Sequence, residues 1–328
     1  EINIEDMIAQ EDMVVTITRS GYIKRNPISL YTSQHRGGKG KVAMGTREDD
    51  FVEHFFVAST HHTFMFITNF GKVYQVKVYE LPMAGRSSIG KSIANFLNLD
   101  PEEHLATVLT VPEFSQGKYV VMATRKGRVK KTELMAYSRP RSGGLIGVKL
   151  AEDDELIAAR ITDGNMEILL GSLDGKVIRF HENDIRCTAR GSMGVKGMAL
   201  GEGSSVVGME TLSRSMTLLC VTENGFGKRT SVEEYRQQSR AGKGVFSIKT
   251  SARNGKMVSL LLVDDNDEIM LVTNRGKLIR TAVKGISVIS RNTQGVKLID
   301  RIKGEKLIGT ARLPEEEDNQ EENEESPE

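Results

Sequence analysis

A glycine-centred pattern recurs six times along the chain, and it limits the possible folds more than any other feature. Each copy has a short apolar run ending in Thr or Ser, then a glycine, then a basic or β-prone run, as in Thr68-Asn69-Phe70-Gly71-Lys72-Val73. A glycine between two such runs is typical of the turn of a β-hairpin. Self-similarity at this period predicts one supersecondary unit per copy. The six glycines are Gly21, Gly71, Gly127, Gly175, Gly225 and Gly276, spaced by 48 to 56 residues.

Each copy also has a second glycine and, in five copies, an arginine four residues before it. The second glycine follows the first by 19 residues in five copies and by 20 in the third, where Gly143 takes the place of the arginine and Arg139 and Arg141 are displaced by a few residues. This shared register predicts that every repeat has the same cationic loop. The glycines are Gly40, Gly90, Gly147, Gly194, Gly244 and Gly295, and the arginines are Arg36, Arg86, Arg190, Arg240 and Arg291.

The apolar runs that follow these loops indicate strands, because they are short and rich in β-branched residues. The chain opens with one strand, 14–18, before its first turn, and it closes with a run, 307–313, that has no following partner. Since each end supplies what the other lacks, we expect the termini to meet. The sequence therefore predicts an all-β domain over residues 1–314, with six blades in a ring or shallow spiral and few unpaired sheet edges.

Charge is divided unevenly along the chain. Of 44 acidic residues, nine lie in 315–328, which has no Lys or Arg, so residues 1–314 carry 45 basic against 35 acidic side chains, a net charge of +10. A basic body predicts a polyanionic partner. The acidic tail 315–328 cannot bury enough apolar surface to fold, so we expect disorder. Two roles for it stay open, a solubilising end or an internal polyanion that competes for the basic surface.

The most glycine- and lysine-rich copy of the loop is Gln34-His35-Arg36-Gly37-Gly38-Lys39-Gly40-Lys41. Its glycines can take positive φ and bring backbone N–H groups close to an anion, while Arg36, Lys39 and Lys41 supply charge. Alone, such an octet is more often a solvated turn. Its recurrence in register favours a phosphate-binding loop.

Other candidate chemistry is weak. The run Gly85-Arg86-Ser87-Ser88-Ile89-Gly90-Lys91-Ser92 matches the nucleotide-binding loop letter for letter, but the repeat explains its arginine and second glycine, and the surrounding pattern is β. His61-His62 would point to opposite faces of a strand, and 264–267 is typical of a turn rather than a calcium loop. We expect no catalytic group, metal or cofactor here.

Cellular context follows from what the sequence contains. Cys187 and Cys220 are too few for a disulfide framework, and no apolar run approaches the roughly 18 residues of a membrane span. These features indicate a cytoplasmic protein. The missing initiator methionine suggests a segment cut from a longer protein.

The octet's first seven residues, Gln34 to Gly40, resemble the signature box of the C-terminal domain of DNA gyrase A. The six-fold repeat over 1–314 resembles that family's β-pinwheel. His35 departs from the pattern, because the box commonly has a second arginine there, and a neutral imidazole would weaken one phosphate contact. The sister protein of topoisomerase IV has a similar pinwheel but typically a degenerate box and often fewer blades, so gyrase is favoured.

The resemblance implies a non-catalytic domain that wraps duplex DNA around a basic rim with positive handedness, so that the parent enzyme introduces negative supercoils. It also implies that the breakage tyrosine and the ATPase lie outside this chain, within an A2B2 enzyme near the nucleoid, and that the isolated domain is monomeric. The main rival is a protein-interaction propeller of the WD-repeat or kelch kind, but this chain has no tryptophan. Besides the octet, the expected DNA contacts are Arg86, Lys91, Arg139, Arg141, Arg190, Lys196, Arg240, Lys243, Arg291 and Lys297.

Overall fold

The computed structural model describes residues 3–28, 50, 52–85, 88–212, 216–275, 278–300 and 303–313. In chain order the strands within these ranges are β1 (Asp12–Thr18), β2 (Tyr22–Pro27), β3 (Val52–Ser59), β4 (Thr63–Thr68), β5 (Lys72–Lys77), β6 (Lys91–Ser92), β7 (Leu105–Val111), β8 (Tyr119–Thr124), β9 (Arg128–Glu133), β10 (Leu145–Ile146), β11 (Leu156–Thr162), β12 (Glu167–Ser172), β13 (Lys176–His181), β14 (Val195–Lys196), β15 (Val206–Leu212), β16 (Thr217–Thr222), β17 (Phe226–Ser231), β18 (Val245–Phe246), β19 (Met257–Val263), β20 (Glu268–Thr273), β21 (Leu278–Ala282), β22 (Val296–Lys297) and β23 (Leu307–Leu313).

Helical structure in the described ranges is short. One α-helix, α1 (Ile93–Leu97), follows β6, and the remaining pieces are single 3-10 turns. These turns are Ile4–Met7, Val78–Glu80, Leu134–Tyr137, Glu182–Asp184, Val232–Glu234 and Val283–Gly285.

Six antiparallel sheets form the blades. From the inner to the outer edge their orders are β3-β1-β2-β6, β7-β4-β5-β10, β11-β8-β9-β14, β15-β12-β13-β18, β19-β16-β17-β22 and β23-β20-β21. Three strands of each blade come from one repeat, whereas the two-residue outer strand of the first five blades comes from the loop of the following repeat. Neighbouring blades are thereby interlocked through their outer edges.

The first glycine of the repeat closes a hairpin in the first five copies, as the sequence predicts. Gly21 has φ of +82°, and its N–H donates to the carbonyl oxygen of Thr18 at 2.9 Å, so a three-residue turn that ends in a left-handed glycine joins β1 and β2. The same N–H to carbonyl bond closes the turns at Gly71, Gly127, Gly175 and Gly225.

Apolar side chains fill the spaces between blades. Met13, Ile17 and Ile23 of the first blade pack with Phe64 and Phe66 of the second, and four further clusters join the later blades pairwise in the same way. A blade is therefore covered on both faces, which explains why β4 is buried at every residue instead of alternating.

The ring joins its two ends. The inner strands β7, β11, β15, β19 and β23 lie side by side in succession, and β23 of the sixth blade also lies beside β3 of the first. The expectation that the termini meet is confirmed. The tail 315–328 lies outside the described residues.

Candidate nucleic-acid interface

The predicted rim lysines lie at the outermost strands. Lys91 is on β6, Lys196 on β14 and Lys297 on β22, while Lys243 lies two residues before the start of β18, and all four are exposed. Asp300 pairs with the Lys297 ammonium and offsets part of its charge. Two further cations, the exposed side chains of Arg139 and Arg141, lie in the loop before β10. The fold thus brings residues that are about 50 positions apart in sequence to one edge of the ring.

Close backbone contact explains the second glycine of the repeat. Gly194 has φ of +81°, and a Cβ atom there would lie 2.3 Å from the carbonyl oxygen of Val129 on β9. Gly90, Gly244 and Gly295 make the same approach to the preceding blade. The glycine lets the loop reach that blade and add its outer strand.

In the third repeat, the second glycine is not the residue that the sequence predicts. Its counterpart of Gly194 is Gly144, which has φ of +77° and directly precedes β10, whereas Gly147 corresponds to Gly197. Gly147 and Gly197 each donate their N–H to the carbonyl oxygen of the preceding turn glycine in the ring, Gly71 and Gly127 respectively. The predicted spacing of 20 residues was wrong, because this loop is two residues shorter than the others rather than one longer.

The recurring arginines tie successive outer strands together. Nη1 of Arg190 donates to the carbonyl oxygen of Ile146 at 3.1 Å, and Nη1 of Arg240 donates to that of Lys196 at 2.9 Å. Arg291 repeats the bond to Phe246 at 3.0 Å. A guanidinium has five N–H donors, so this bond leaves others for a phosphate. Sequence reasoning placed these side chains at the rim but missed their structural bond.

The octet Gln34–Lys41 and Arg86 lie outside the described residues, so their DNA contacts stay predictions. In the run that resembles a nucleotide site, Gly90 has the geometry of the repeat's second glycine, since a Cβ there would meet the carbonyl oxygen of Ile23 at 2.5 Å. The five-residue helix α1 after it was not predicted.

Three buried lysines behind the rim escaped the sequence analysis. Lys24, Lys130 and Lys228 are each at most 2% exposed, and each stands three residues after a turn glycine. Nζ of Lys24 donates to the carbonyl oxygens of Gly85 and Ser88, at 2.9 and 3.0 Å. These bonds hold Gly85 and Ser88, which lie on either side of Arg86 in the sequence.

The other two lysines bind loop carbonyls in the same manner. Nζ of Lys228 donates to the carbonyl oxygens of Ser290, at 2.5 Å, and Arg291. Nζ of Lys130 donates to that of Gly147 at 3.0 Å. Burial lowers the pKa of both Lys130 and Lys228 to about 8. Their spacing from the turn glycine is a signal that a repeat alignment could have detected.

Within the described ranges, no three His, Cys, Asp or Glu side chains lie close enough together to hold a metal ion. His61, one of the two adjacent histidines, contacts the carbonyl oxygen of Ile8 through Nε2 at 2.8 Å. In the acidic run 264–267, which lies between β19 and β20, Asp267 forms an ion pair with Arg312 at 2.8 Å. No described helix has the length and apolar character to cross a membrane.

Comparison with known proteins identifies the repeat. The family described as DNA gyrase C-terminal domain, beta-propeller, matches at 12–59, 62–112, 118–163, 167–213, 217–264 and 267–314, one match for each blade. DNA gyrase A of Escherichia coli K12 is 45% identical over 315 residues, covering 96% of this chain and 36% of the relative. That of Mycolicibacterium smegmatis is 41% identical over 320 residues, covering 97% and 38%. The chain thus spans little more than a third of these relatives.

Two solved structures share the whole architecture. A DNA gyrase A C-terminal domain superposes with a TM-score of 0.76 and 27% identity, covering 93% of this chain and 100% of that one. A C-terminal domain of DNA topoisomerase IV superposes with a TM-score of 0.80 and 26% identity, covering 94% of both chains.

Proposed function

This chain belongs to the DNA gyrase C-terminal domain family, and we propose that it binds duplex DNA along its outer rim and wraps the duplex with positive handedness. The observation that carries the proposal is the row of exposed cations along the outer edge of the ring, with Lys91, Lys196 and Lys297 on outer strands and Lys243 just before β18. A curved row of cations matches a bent phosphate backbone better than a straight one, because successive contacts form only if the duplex follows the ring.

Bending the duplex has a cost that these contacts can offset. A smooth bend of 40–90° over 20–30 base pairs costs of order 1–6 kcal/mol. Each phosphate neutralised by a Lys or Arg releases counterions, and several such contacts outweigh that cost at moderate salt. Arg190, Arg240 and Arg291 keep the outer strands at fixed spacing, so the rim is preorganised for the bent path.

Contacts of this kind give little base specificity. Lysine and arginine side chains directed at phosphate oxygens carry no base-edge code, so sequence preference should follow the deformability of the duplex. On the sequence alone, the octet Gln34–Lys41 is the fastening point at the first repeat, where glycine N–H groups and three cations would grip phosphates.

The parent protein extends well beyond this chain. We infer that its breakage tyrosine and ATPase lie outside residues 1–328, that its partners are the rest of gyrase A together with gyrase B, and that it works in the cytoplasm at the nucleoid. Wrapping by this domain would present a DNA segment in a positive crossing, and ATP-driven strand passage would then introduce negative supercoils.

Ligation of nicked circular DNA tests the proposal. Circles sealed in the presence of the chain should shift toward positive writhe, as read from linking number on a gel. The variant with Lys196, Lys243 and Lys297 changed to Ala should lose the shift. A control with Lys118, Lys256 and Lys303 changed to Ala removes the same charge from exposed sites that precede the central strand β8 and the inner strands β19 and β23, and should keep it.

The topoisomerase IV likeness supports a second candidate, a rim that binds DNA without imposing handed wrapping. Under that function the linking-number distribution stays unshifted although the chain is bound in the same tube. Failure to bind duplex DNA at moderate salt would contradict both functions and favour a protein-interaction propeller.

A further inference from the structure

Two exposed apolar side chains interrupt the row of rim lysines. Ile146 on β10 is 60% exposed and Phe246 on β18 is 50% exposed. Both are the second residue of their outer strand, the position that Lys196 occupies on β14 and Lys297 on β22. Single exposed apolar residues are ordinary on protein surfaces. Their position in this row places apolar surface where the proposed DNA path runs.

Phe246 also forms one wall of a cationic niche between the fourth and fifth blades. The niche is lined by Lys176, Lys243 and Arg291 together with the phenyl ring. Nζ of Lys176 lies 5.1 Å from the ring centroid, with the Asp174 carboxylate 3.5 Å from the same ammonium. Arg291 holds the backbone carbonyl of Phe246 at 3.0 Å. The ring is thus fixed among cations while half of its surface stays open to solvent.

We propose that this niche binds one sugar–phosphate unit of duplex DNA, with the phosphate against Lys243 and Arg291 and the apolar face of the deoxyribose against Phe246. The inference rests on the proposed function and adds one contact to it, Phe246. A nucleic-acid backbone alternates anionic phosphates with sugars that expose C–H groups, and the niche offers cations and an apolar ring side by side. An acidic peptide would match the cations but would leave the ring in water.

Measuring duplex binding over a range of salt concentrations distinguishes the contribution of the Phe246 ring to affinity from that of the cations. Burial of apolar surface releases no counterions, so Phe246→Ala should lower the association constant about threefold to tenfold at every salt concentration and leave the slope of log K against log salt unchanged. Phe246→Leu should retain most of the affinity. Val57→Ala removes apolar surface from a side chain that is 43% exposed on the inner strand β3, at the opposite edge of its blade from the outer strand β6, and should bind like the wild type.

The outcomes distinguish this inference from the function on which it rests. Equal binding by Phe246→Ala and Val57→Ala would overturn the sugar contact. A reduced slope for Phe246→Ala would overturn it too, because the ring would then act only by positioning the cations. If the wild type itself binds duplex DNA without salt dependence, the proposed function fails instead. Thermal unfolding of each variant shows that the affinities compare folded proteins.

Discussion

At the scale of single residues, Lys228 shows how a buried cation supports an exposed one. Its ammonium is buried and donates to the carbonyl oxygens of Ser290 and Arg291, so it fixes the backbone from which the Arg291 side chain extends. The sequence shows Lys228 only as a basic residue near a turn, and lysine is almost never fully buried. The sequence alone therefore does not distinguish Lys228 from the exposed lysines of the rim. The fold does, because it shows that Lys228 is buried.

Burial of this ammonium predicts a pH-dependent stability. The pKa of Lys228 is about 8 in the folded protein and 10.5 in its ordinary state. Between these values the unfolded chain holds a proton that the folded chain has released, so the free energy of unfolding rises with pH. Between pH 8 and pH 10 the gain is about 2 kcal/mol for this group.

Denaturant unfolding of the wild type and of Lys228→Met measures that gain. The variant should lack this part of the rise, so the difference between the two unfolding free energies should grow in favour of the wild type from pH 8 to pH 10. A difference that stays constant over this interval would show that the folded-state pKa is not lowered. Lys118→Met, at an exposed position, should follow the wild type at every pH.

At the scale of elements, the exchange of outer strands is the feature that sequence reasoning did not reach. Hairpin turns were predictable because Gly21 and its equivalents follow β-prone runs and recur every 48 to 56 residues. A two-residue strand such as β14 has no periodicity to detect, and its partner β9 belongs to the preceding repeat. Similarly, Gly144 and Gly147 are both plausible second glycines by spacing, and only the backbone geometry selects Gly144.

A pair of glycines in one loop tests this strand exchange. Gly194→Ala would place a Cβ 2.3 Å from the carbonyl oxygen of Val129 at φ of +81°, so we expect a loss of more than about 2 kcal/mol in unfolding free energy. Gly191→Ala, three residues earlier, meets no atom within 4 Å and should change stability by less than about 0.5 kcal/mol. Equal stability of the two variants in denaturant titrations would show that β14 does not pack on β9 in this manner.

At the scale of the whole molecule, the complementary ends allowed the ring to be predicted, and the contact of β23 with β3 confirms that they meet. The net charge of +10 over residues 1–314 predicted a polyanionic partner, but the charge alone does not say where that partner binds. The strand exchange decides the location, because it carries one cationic loop of each later repeat to the outer edge.

The salt dependence of duplex binding measures how many phosphates the rim cations contact. Each phosphate contact contributes about 0.9 to the slope of log K against log salt, so changing Lys196, Lys243 and Lys297 to Ala should reduce the slope by about 3. Changing Lys118, Lys256 and Lys303 to Ala, with the same change in net charge, should reduce it by less than about 1. Equal reductions, measured by duplex titration over a range of salt concentrations, would mean that DNA responds to total charge and not to the rim.

The exchange of outer strands between repeats also fixes the order in which the blades can be completed during synthesis on the ribosome. The first blade has β1, β2 and β3 once residue 59 has emerged, but its outer strand β6 is made some thirty residues later, as part of the next repeat. Each of the first five blades therefore waits for its successor before its edge is covered. A ribosome that stalls at the end of a repeat leaves the newest blade with an open edge, so the nascent chain is most exposed to aggregation at these pauses.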